Sequence, residues 1–225
     1  MSQRATTIDR VRYPFVLFDL DGTIVDSAWM ILASFKHATS TVLGREIPEE
    51  VLMAQVGSGH LAEQMRSFEE GLPEERVQLL VDTYRAHYAP LHSELRAFPG
   101  MVELLERLDA EGRRLGIVTA KVRDVVELAF EAVPFGHTID VVVGSDEAKR
   151  GKPNPDQILI AMERLGAIPE ETAYVGDAPF DVAAAKSAGV YAIGVTWGGI
   201  HARERMEREN PDAVVETPEE LYAAL

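Results

Sequence analysis

The sequence predicts an α/β protein with a doubly wound, Rossmann-like parallel sheet as its core and a small α-helical cap domain inserted after the first strand. Two observations lead to this prediction. Short apolar runs alternate with helical patterns over residues 96–225, which is typical of parallel strands joined by helical crossovers. Residues 24–95, in contrast, carry helical patterns and no clear strand. We therefore assign residues 1–23 and 96–225 to the core and residues 24–95 to the cap.

The strands are predicted from short apolar runs that end at turn residues. The first run, Phe15–Phe18, lies between Pro14 and Asp19. The remaining runs span residues 115–118, 139–143, 173–175 and 190–195, with a weaker one at 213–215. We expect all of them to lie in one sheet that is covered by helices.

The helices are predicted from apolar residues that recur every three or four positions and from the glycines that follow them. In the core, these patterns cover residues 101–108, 155–165 and 179–188, and they end at Gly112, Gly166 and Gly189. Within the cap they cover residues 27–42, 48–55, 61–68 and 73–92. Glycine-containing turns separate the cap helices from one another.

The composition excludes several classes of protein. Of the 225 residues, 46% are hydrophobic and 26% are charged, as is usual for a globular chain. The absence of cysteine excludes disulfide scaffolds, thiolate metal sites and cysteine nucleophiles. No apolar run approaches the roughly 18 residues of a membrane span, and the first residues lack the apolar segment of a secretory signal, so we expect a cytoplasmic protein with no membrane partner. The net charge of −15, without a basic stripe, also argues against nucleic acid as a partner.

Carboxylates follow two of the predicted strands. In an open parallel sheet, ligands bind beyond the carboxyl ends of the strands. Asp19 and Asp21 follow the first strand, and Asp177 and Asp181 follow the fourth. Carboxylates that converge at one point raise each other's pKa unless a cation lies between them. Oxygen ligands without histidine or cysteine point to Mg²⁺ as the cofactor, and a carboxylate can also attack phosphorus to give an aspartyl-phosphate.

Four ordered motifs at the strand ends resemble those of the haloacid dehalogenase-like hydrolases. They are FDLDGT (18–23), VTAK (118–121), GKPNP (151–155) and GDAPFD (176–181). Their order and the helical insertion after the first motif both fit this family, and the resemblance covers nearly the whole chain. Two further segments, VGSGH (56–60) and GVTWGG (194–199), are similar to the phosphoglycolate phosphatase-like branch with a small helical cap.

The resemblance implies a role for each matching acid. Asp19 would be the nucleophile and a ligand of Mg²⁺. Asp21 would protonate the leaving alkoxide and then activate water, while its backbone carbonyl faces the metal. Asp177 would ligate Mg²⁺, and Asp181 would support the metal shell directly or through water. The implied metal set is therefore Asp19, Asp21, Asp177 and Asp181.

The resemblance also implies residues that act on the phosphoryl group and the substrate. Thr119 would donate a hydrogen bond to a phosphoryl oxygen. Lys152 would neutralise charge on the phosphoryl group and on Asp19. Ala120 and Lys121, which follow Thr119 in the same loop, are expected to lie beside the substrate.

The cap turn at residues 56–60 suggests how a small substrate could be held. The backbone amides of this turn, with that of Gly57 among them, and the hydroxyl of Ser58 could bind a carboxylate at close range, and Arg66 could pair with the same group. The turn could equally serve only to connect two helices. A lid of short helices is expected to leave little room above the phosphorus, and the turn has no aromatic cluster for stacking a base. We therefore expect a small anionic phosphomonoester, with phosphoglycolate as the first compound to test.

The predicted activity is that of a Mg²⁺-dependent phosphatase, a monomer or homodimer, which hydrolyses a small phosphorylated metabolite through an aspartyl-phosphate. β-Phosphoglucomutases share all four motifs, and pyrophosphatases and nucleotidases of the superfamily are further alternatives. Haloacid dehalogenases typically lack the second acid of the first motif, so Asp21 and Asp177 argue against that reaction. Phosphonoacetaldehyde hydrolases use a cap lysine, whereas the only lysine of residues 24–95 is Lys36, early in the first cap helix.

Overall fold

The structure is a computed structural model that describes residues 12–225. The expected absence of a secretory signal depends chiefly on residues 1–11, which lie outside the described residues. Within the described range, no helix is both long enough and apolar enough to cross a membrane.

A six-stranded parallel sheet lies at the centre of the described chain. Its strands are β1 (Phe15–Phe18), β2 (Arg114–Val118), β3 (Val141–Val143), β4 (Thr172–Gly176), β5 (Tyr191–Val195) and β6 (Ala213–Val215). Across the sheet they are ordered β3-β2-β1-β4-β5-β6. The first strand therefore lies in the middle, with the chain wound outwards in both directions, and the predicted α/β fold class is confirmed.

The register of the central strands brings their carboxyl ends to the same level. Phe18 of β1 pairs with Ile117 of β2 on one side and with Val175 of β4 on the other. Because the strands are parallel, the residues that follow them meet at one edge of the sheet: Asp19, Thr119 and Asp177.

The segment between β1 and β2 begins with four α-helices. They are α1 (Ala28–Leu43), α2 (Glu49–Met53), α3 (Leu61–Arg66) and α4 (Glu74–Tyr88). The helix predicted over residues 73–92 is shorter than expected, because α-helical structure ends at Tyr88 and a 3₁₀ helix, Ala89–Glu94, follows. Pro90 lies at the start of that 3₁₀ helix and has no amide hydrogen with which to continue the α-helical pattern.

The remaining helices flank the sheet. They are α5 (Met101–Ala110), α6 (Arg123–Ala132), α7 (Asp156–Leu165), α8 (Pro179–Ala188), α9 (Arg203–Glu207) and α10 (Pro218–Ala224). Three of these, α6, α9 and α10, were not predicted from the sequence. The strand predicted at 139–143 begins only at Val141, because a 3₁₀ helix, Gly136–Thr138, directly precedes it.

Apolar side chains pack on both faces of the sheet. Alternate residues of β1 belong to different clusters: Val16 and Phe18 to one, and Leu17 to the other. The cluster that contains Val16 also includes Phe35 and Leu80 of the helical segment. The helices that follow β1 therefore share a hydrophobic core with the sheet, which holds them over its carboxyl edge.

Candidate active site

The loop after β1 places two carboxylates in the interior. Asp19 is 2% exposed and Asp21 is 9% exposed. The next residue, Gly22, has a left-handed backbone with φ +73°. A Cβ atom at this position would lie 2.1 Å from Asp177 Oδ2. Only glycine therefore allows the loop to approach the carboxylate of Asp177 so closely.

Lys152 carries a buried ammonium group that connects acids from two motifs. Its Nζ lies 3.0 Å from Asp19 Oδ1 and 2.5 Å from Asp181 Oδ1. It also donates a hydrogen bond of 3.2 Å to the hydroxyl of Tyr174. Burial by itself lowers the pKa of Lys152, but the charges of Asp181 and Asp19 raise this pKa well above its ordinary value. Lys152 is therefore a permanent positive charge beside Asp19.

Burial raises the pKa of the two acids that are best placed to bind a metal. Desolvation raises the pKa of Asp19 to about 7, although the charge of Lys152 opposes the rise. The pKa of Asp177 is raised well above its ordinary value, first by desolvation and then by the charges of Asp181 and Asp19. A cation beside these carboxylates would favour their charged forms.

The acids have the arrangement that a divalent cation needs. Carboxylate oxygens of Asp19, Asp177 and Asp181 lie within 4.8 Å of one another. Asp177 Oδ2 is buried and has no hydrogen-bond partner among residues 12–225. Both oxygens of Asp181 are engaged, since Oδ1 accepts from Lys152 and Oδ2 accepts from the backbone amide of Ala178. The all-oxygen set fits Mg²⁺, with Asp19 and Asp177 as the available ligands and Asp181 orienting Lys152 behind them.

Asp21 is held in one orientation by two donors. Ser27 Oγ donates to Asp21 Oδ1, and Lys121 Nζ donates to the same oxygen over 2.7 Å. The Lys121 ammonium also lies 4.5 Å from the centre of the Tyr88 ring. Lys121, which the sequence predicts to lie beside the substrate, is thus between Asp21 and Tyr88 of the cap. It lines the cavity described below. An acid with a fixed carboxylate is suited to transfer a proton to or from a bound substrate.

Thr119 and Ala120 lie on the same cavity, next to Asp19 and Asp21. Thr119 is fully buried, and its Oγ1 accepts a hydrogen bond of 3.2 Å from the amide of Lys121. The carbonyl of Thr119 accepts a bond of 2.7 Å from the side chain of Gln157. The hydroxyl hydrogen of Thr119 therefore stays available as a donor, on a backbone that is held in place.

A cavity of about 330 Å³ extends from the carboxylates to the helical segment. Gly57 and His60 of the cap turn line it, as the sequence predicted for Gly57, and so do Tyr84 and Tyr88 of α4. The turn itself contributes no phenylalanine, tyrosine or tryptophan side chain to the cavity, and the two tyrosines come from α4, a helix that lies further along the chain.

Two residues predicted to bind substrate are directed elsewhere. Ser58 does not line the cavity, and its hydroxyl donates a bond of 2.7 Å to the carbonyl of Gln55 within the turn itself. Arg66 is exposed and forms an ion pair of 2.7 Å with Glu74, outside the cavity. Partners within the cap therefore engage the hydrogen-bonding groups of both side chains.

Sequence reasoning missed the residues by which α4 lines the cavity. Val81, Tyr84, Arg85 and Tyr88 recur at helical spacing and share this face of the helix. In sequence, such a stripe is indistinguishable from an ordinary packing face. The signal that could have found it is the pair of polar side chains Gln78 and Arg85, which line the cavity on the same face as the apolar and aromatic residues.

Comparisons with known proteins agree with this geometry. A sequence profile of the haloacid dehalogenase-like hydrolases matches residues 16–195. The chain is 35% identical over 215 residues to the probable phosphatase IndB of Dickeya dadantii, covering 94% of this chain and 93% of that protein. It is 32% identical over 211 residues to the pyrophosphatase PpaX of Bacillus velezensis, covering 93% and 95%. A crystal structure of a hydrolase from Pseudomonas syringae superposes with a TM-score of 0.84 at 28% identity, covering 93% of this chain and 96% of that one.

A Rossmann-like parallel sheet, buried acids at its carboxyl edge and a helical segment after the first strand together define a class of hydrolases with an acid-based active site. The chain belongs to the haloacid dehalogenase-like hydrolase family within that class. The predicted family and the prediction that the protein is an enzyme are both confirmed.

Proposed function

We propose that the protein is a Mg²⁺-dependent phosphatase that hydrolyses a small phosphomonoester through an aspartyl-phosphate on Asp19. The observation that carries this proposal is the buried pair of Asp19 Oδ1 and Lys152 Nζ, 3.0 Å apart, beside the unpartnered Asp177 Oδ2. A carboxylate in such a place can accept a phosphoryl group, because a fixed positive charge lies where negative charge develops. Relatives that are named as phosphatases support the same class of reaction.

In the first half-reaction, a carboxylate oxygen of Asp19 attacks phosphorus, and the bond from phosphorus to the alcohol oxygen breaks. Asp21 gives its proton to that alcohol oxygen. Lys152 and Thr119 offset the charge of the phosphoryl oxygens. In this proposal, residues 24–95 act as a cap that excludes water while the aspartyl-phosphate forms.

In the second half-reaction, Asp21 takes a proton from a water molecule as the water oxygen attacks phosphorus. The bond from phosphorus to Asp19 breaks, inorganic phosphate leaves, and both acids return to their starting states. Asp19 and Asp177 would hold Mg²⁺, which when bound supplies positive charge that lets an anionic substrate approach an anionic nucleophile.

The finer choice of substrate depends on the cap. Phosphoglycolate was expected because of Ser58 and Arg66, and both of these side chains bond elsewhere. It stays in the test panel together with pyrophosphate, the substrate class named for the PpaX relative. A β-phosphoglucomutase-like transfer is the other reaction that the four motifs allow.

The test is release of inorganic phosphate from pyrophosphate, phosphoglycolate, a nucleoside monophosphate and a hexose phosphate, with Mg²⁺ and after chelation. We expect turnover only with the metal, and none for Asp19→Asn, because an amide cannot attack phosphorus. Asp109→Asn, an exposed change on α5, is the matched control and should keep full activity. Turnover by Asp19→Asn, full activity after chelation, or isomerisation of the hexose phosphate without phosphate release would each contradict the proposal.

A further inference from the structure

Apolar and aromatic side chains form a large part of the cavity wall. Ile31, Tyr84 and Tyr88 contribute from the helical segment, and Val125 contributes from α6 of the core. The volume of about 330 Å³ lies within the range of roughly 300–1,000 Å³ found for pockets that bind drug-sized ligands. Pyrophosphate or phosphoglycolate would leave most of this wall without an apolar partner. Burial of either compound against the wall would remove water from its polar oxygens and supply no hydrogen bonds in return.

One exposed arginine also lines the cavity. Arg85 lines the cavity, on the same face of α4 as Tyr84 and Tyr88. The other arginines of residues 24–95 are engaged with Glu69, Glu74 or a backbone carbonyl: Arg45, Arg66 and Arg76. Arg85, by contrast, has no ion-pair or hydrogen-bond partner anywhere in residues 12–225. In a protein with a net charge of −15, an arginine that faces a cavity without a carboxylate partner is suited to bind an anionic group.

Tyr88 has a polar group that also lacks a partner. Its hydroxyl is buried and forms no hydrogen bond to any described residue. A buried hydroxyl without a partner is unfavourable, and a ligand that bonds to it would remove this cost. The ring of Tyr88 meanwhile packs on the ammonium of Lys121, whose Nζ is bound to Asp21. The aromatic wall of the cavity is therefore continuous with the acid that we assign to proton transfer.

We propose that the substrate is an organic phosphomonoester whose leaving group has a flat, apolar body with an anionic group beyond it. The body packs against Tyr84 and Tyr88 while the phosphoryl group lies at Asp19. The anionic group pairs with Arg85. This inference rests on the proposed phosphatase function and extends it to the class of leaving group, with an aryl phosphate that carries a carboxylate as the simplest probe.

The first measurement compares kcat/KM for phenyl phosphate, 4-carboxyphenyl phosphate, phosphoglycolate and pyrophosphate. We expect both aryl phosphates to be better substrates than the two small compounds, and 4-carboxyphenyl phosphate to be the best. Arg85→Gln should lower kcat/KM for 4-carboxyphenyl phosphate by up to about 5-fold, the loss expected for an ion pair to an exposed arginine, and leave phenyl phosphate nearly unchanged. Arg45→Gln, which removes an exposed arginine outside the cavity, should affect neither compound.

The second measurement is the binding of 4-carboxyphenyl phosphate to Asp19→Asn, with and without Arg85→Gln, by calorimetry. Weaker binding on loss of Arg85 supports the inference even where turnover is blocked. A higher kcat/KM for pyrophosphate or phosphoglycolate than for either aryl phosphate would overturn the inference and leave the phosphatase proposal intact. An equal effect of Arg85→Gln on both aryl phosphates would overturn the role of Arg85. Absence of phosphate release from every compound would instead refute the phosphatase proposal, while the binding measurement would still decide the role of Arg85.

Discussion

The backbone amide of Gly59 donates a hydrogen bond of 2.8 Å to the carbonyl oxygen of Lys152. Gly59 lies in the turn before α3, whereas Lys152 lies in the core and contacts Asp19 through its ammonium. A second bond, of 2.9 Å, joins the His201 ring nitrogen Nε2 to the carbonyl of Val56 in the same turn. The position of this turn is therefore linked to the nucleophile through one residue, Lys152.

The contact predicts the effect of Gly151→Ala. A Cβ atom at Gly151 would lie 2.8 Å from the Cα atom of Gly59, too close unless the turn moves away. We expect kcat/KM to fall on the order of 10–100-fold, as for other small displacements of catalytic groups, with little change in thermal stability. Hydrogen exchange at the Gly59 amide should become faster in the variant. Unchanged exchange together with unchanged kcat/KM would show that the turn does not position Lys152.

Replacing Lys152 should damage both activity and stability. Lys152→Met leaves the buried carboxylates of Asp19 and Asp181 without their cation, and breaking a buried ion pair costs about 3–5 kcal/mol. We also expect kcat to fall by on the order of 100-fold or more, since one charge-stabilising group is lost. Thr119→Ala should cost less in kcat, because it removes a neutral donor. Chemical unfolding and steady-state kinetics measure the two effects, and a larger loss of kcat in Thr119→Ala than in Lys152→Met would reverse this ranking.

The fold and the motif residues could be predicted because both depend on local patterns. The apolar run Phe15–Phe18 bounded by Asp19 fixes the first strand, and parallel pairing then brings Asp19 and Asp177 to one edge. The missed helix α6 has only two fully buried residues, Val126 and Ala129. Val125 and Phe130, which are partly buried, pack against the core beside them, so the apolar residues of α6 do recur at helical spacing and this helix could have been predicted from the sequence.

The cap side of the site could not be predicted, because it depends on contacts between distant segments. Ser58 and Arg66 have the right chemistry to bind an anion, but in the structure Ser58 bonds to Gln55 and Arg66 pairs with Glu74. Tyr88 lies 33 residues before Lys121 in the sequence, and only the packing of α4 over the sheet brings its ring to the ammonium. Spacing along the chain carries no information on such pairs.

Gly22→Ala should weaken metal binding. The added Cβ atom would lie 2.1 Å from Asp177 Oδ2, so the carboxylate would have to move from the position in which it can ligate Mg²⁺. The positive φ of Gly22 adds strain of about 1–2 kcal/mol for an L-residue. Gly112→Ala separates the two effects, because Gly112 has φ +79° and nothing within 4 Å of the added atom.

In the absence of metal, backbone strain should therefore lower the free energy of unfolding of both glycine variants by a similar amount. The clash with Asp177 should lower that of Gly22→Ala somewhat further. Only Gly22→Ala should raise the Kd for Mg²⁺, by about 10-fold or more, as expected when one ligand is displaced. Isothermal titration with Mg²⁺ measures the affinity without reference to turnover. An equal Kd in the two variants would mean that Asp177 is not a metal ligand.

Removal of the metal should make the stability of the protein depend on pH in a specific direction. Burial raises the pKa of Asp19 to about 7 and raises that of Asp177 well above its ordinary value. Above the ordinary carboxyl pKa of about 4, the folded metal-free protein thus holds more protons than the unfolded chain. The contribution of these two acids to the free energy of unfolding is therefore greatest at low pH and is lost as the pH rises through about 7.

Bound Mg²⁺ should remove much of this loss, because it favours the charged carboxylates and competes with protons for them. We therefore expect Mg²⁺ to raise the Tm of the chelator-treated protein more at about pH 8 than at about pH 6. In Asp177→Asn, which replaces one buried acid by a neutral group, the Tm of the metal-free protein should fall less between these two pH values. Thermal unfolding with and without Mg²⁺ provides the measurement. A Mg²⁺-induced rise in Tm that is the same at both pH values would show that the buried acids do not ligate the metal as charged groups.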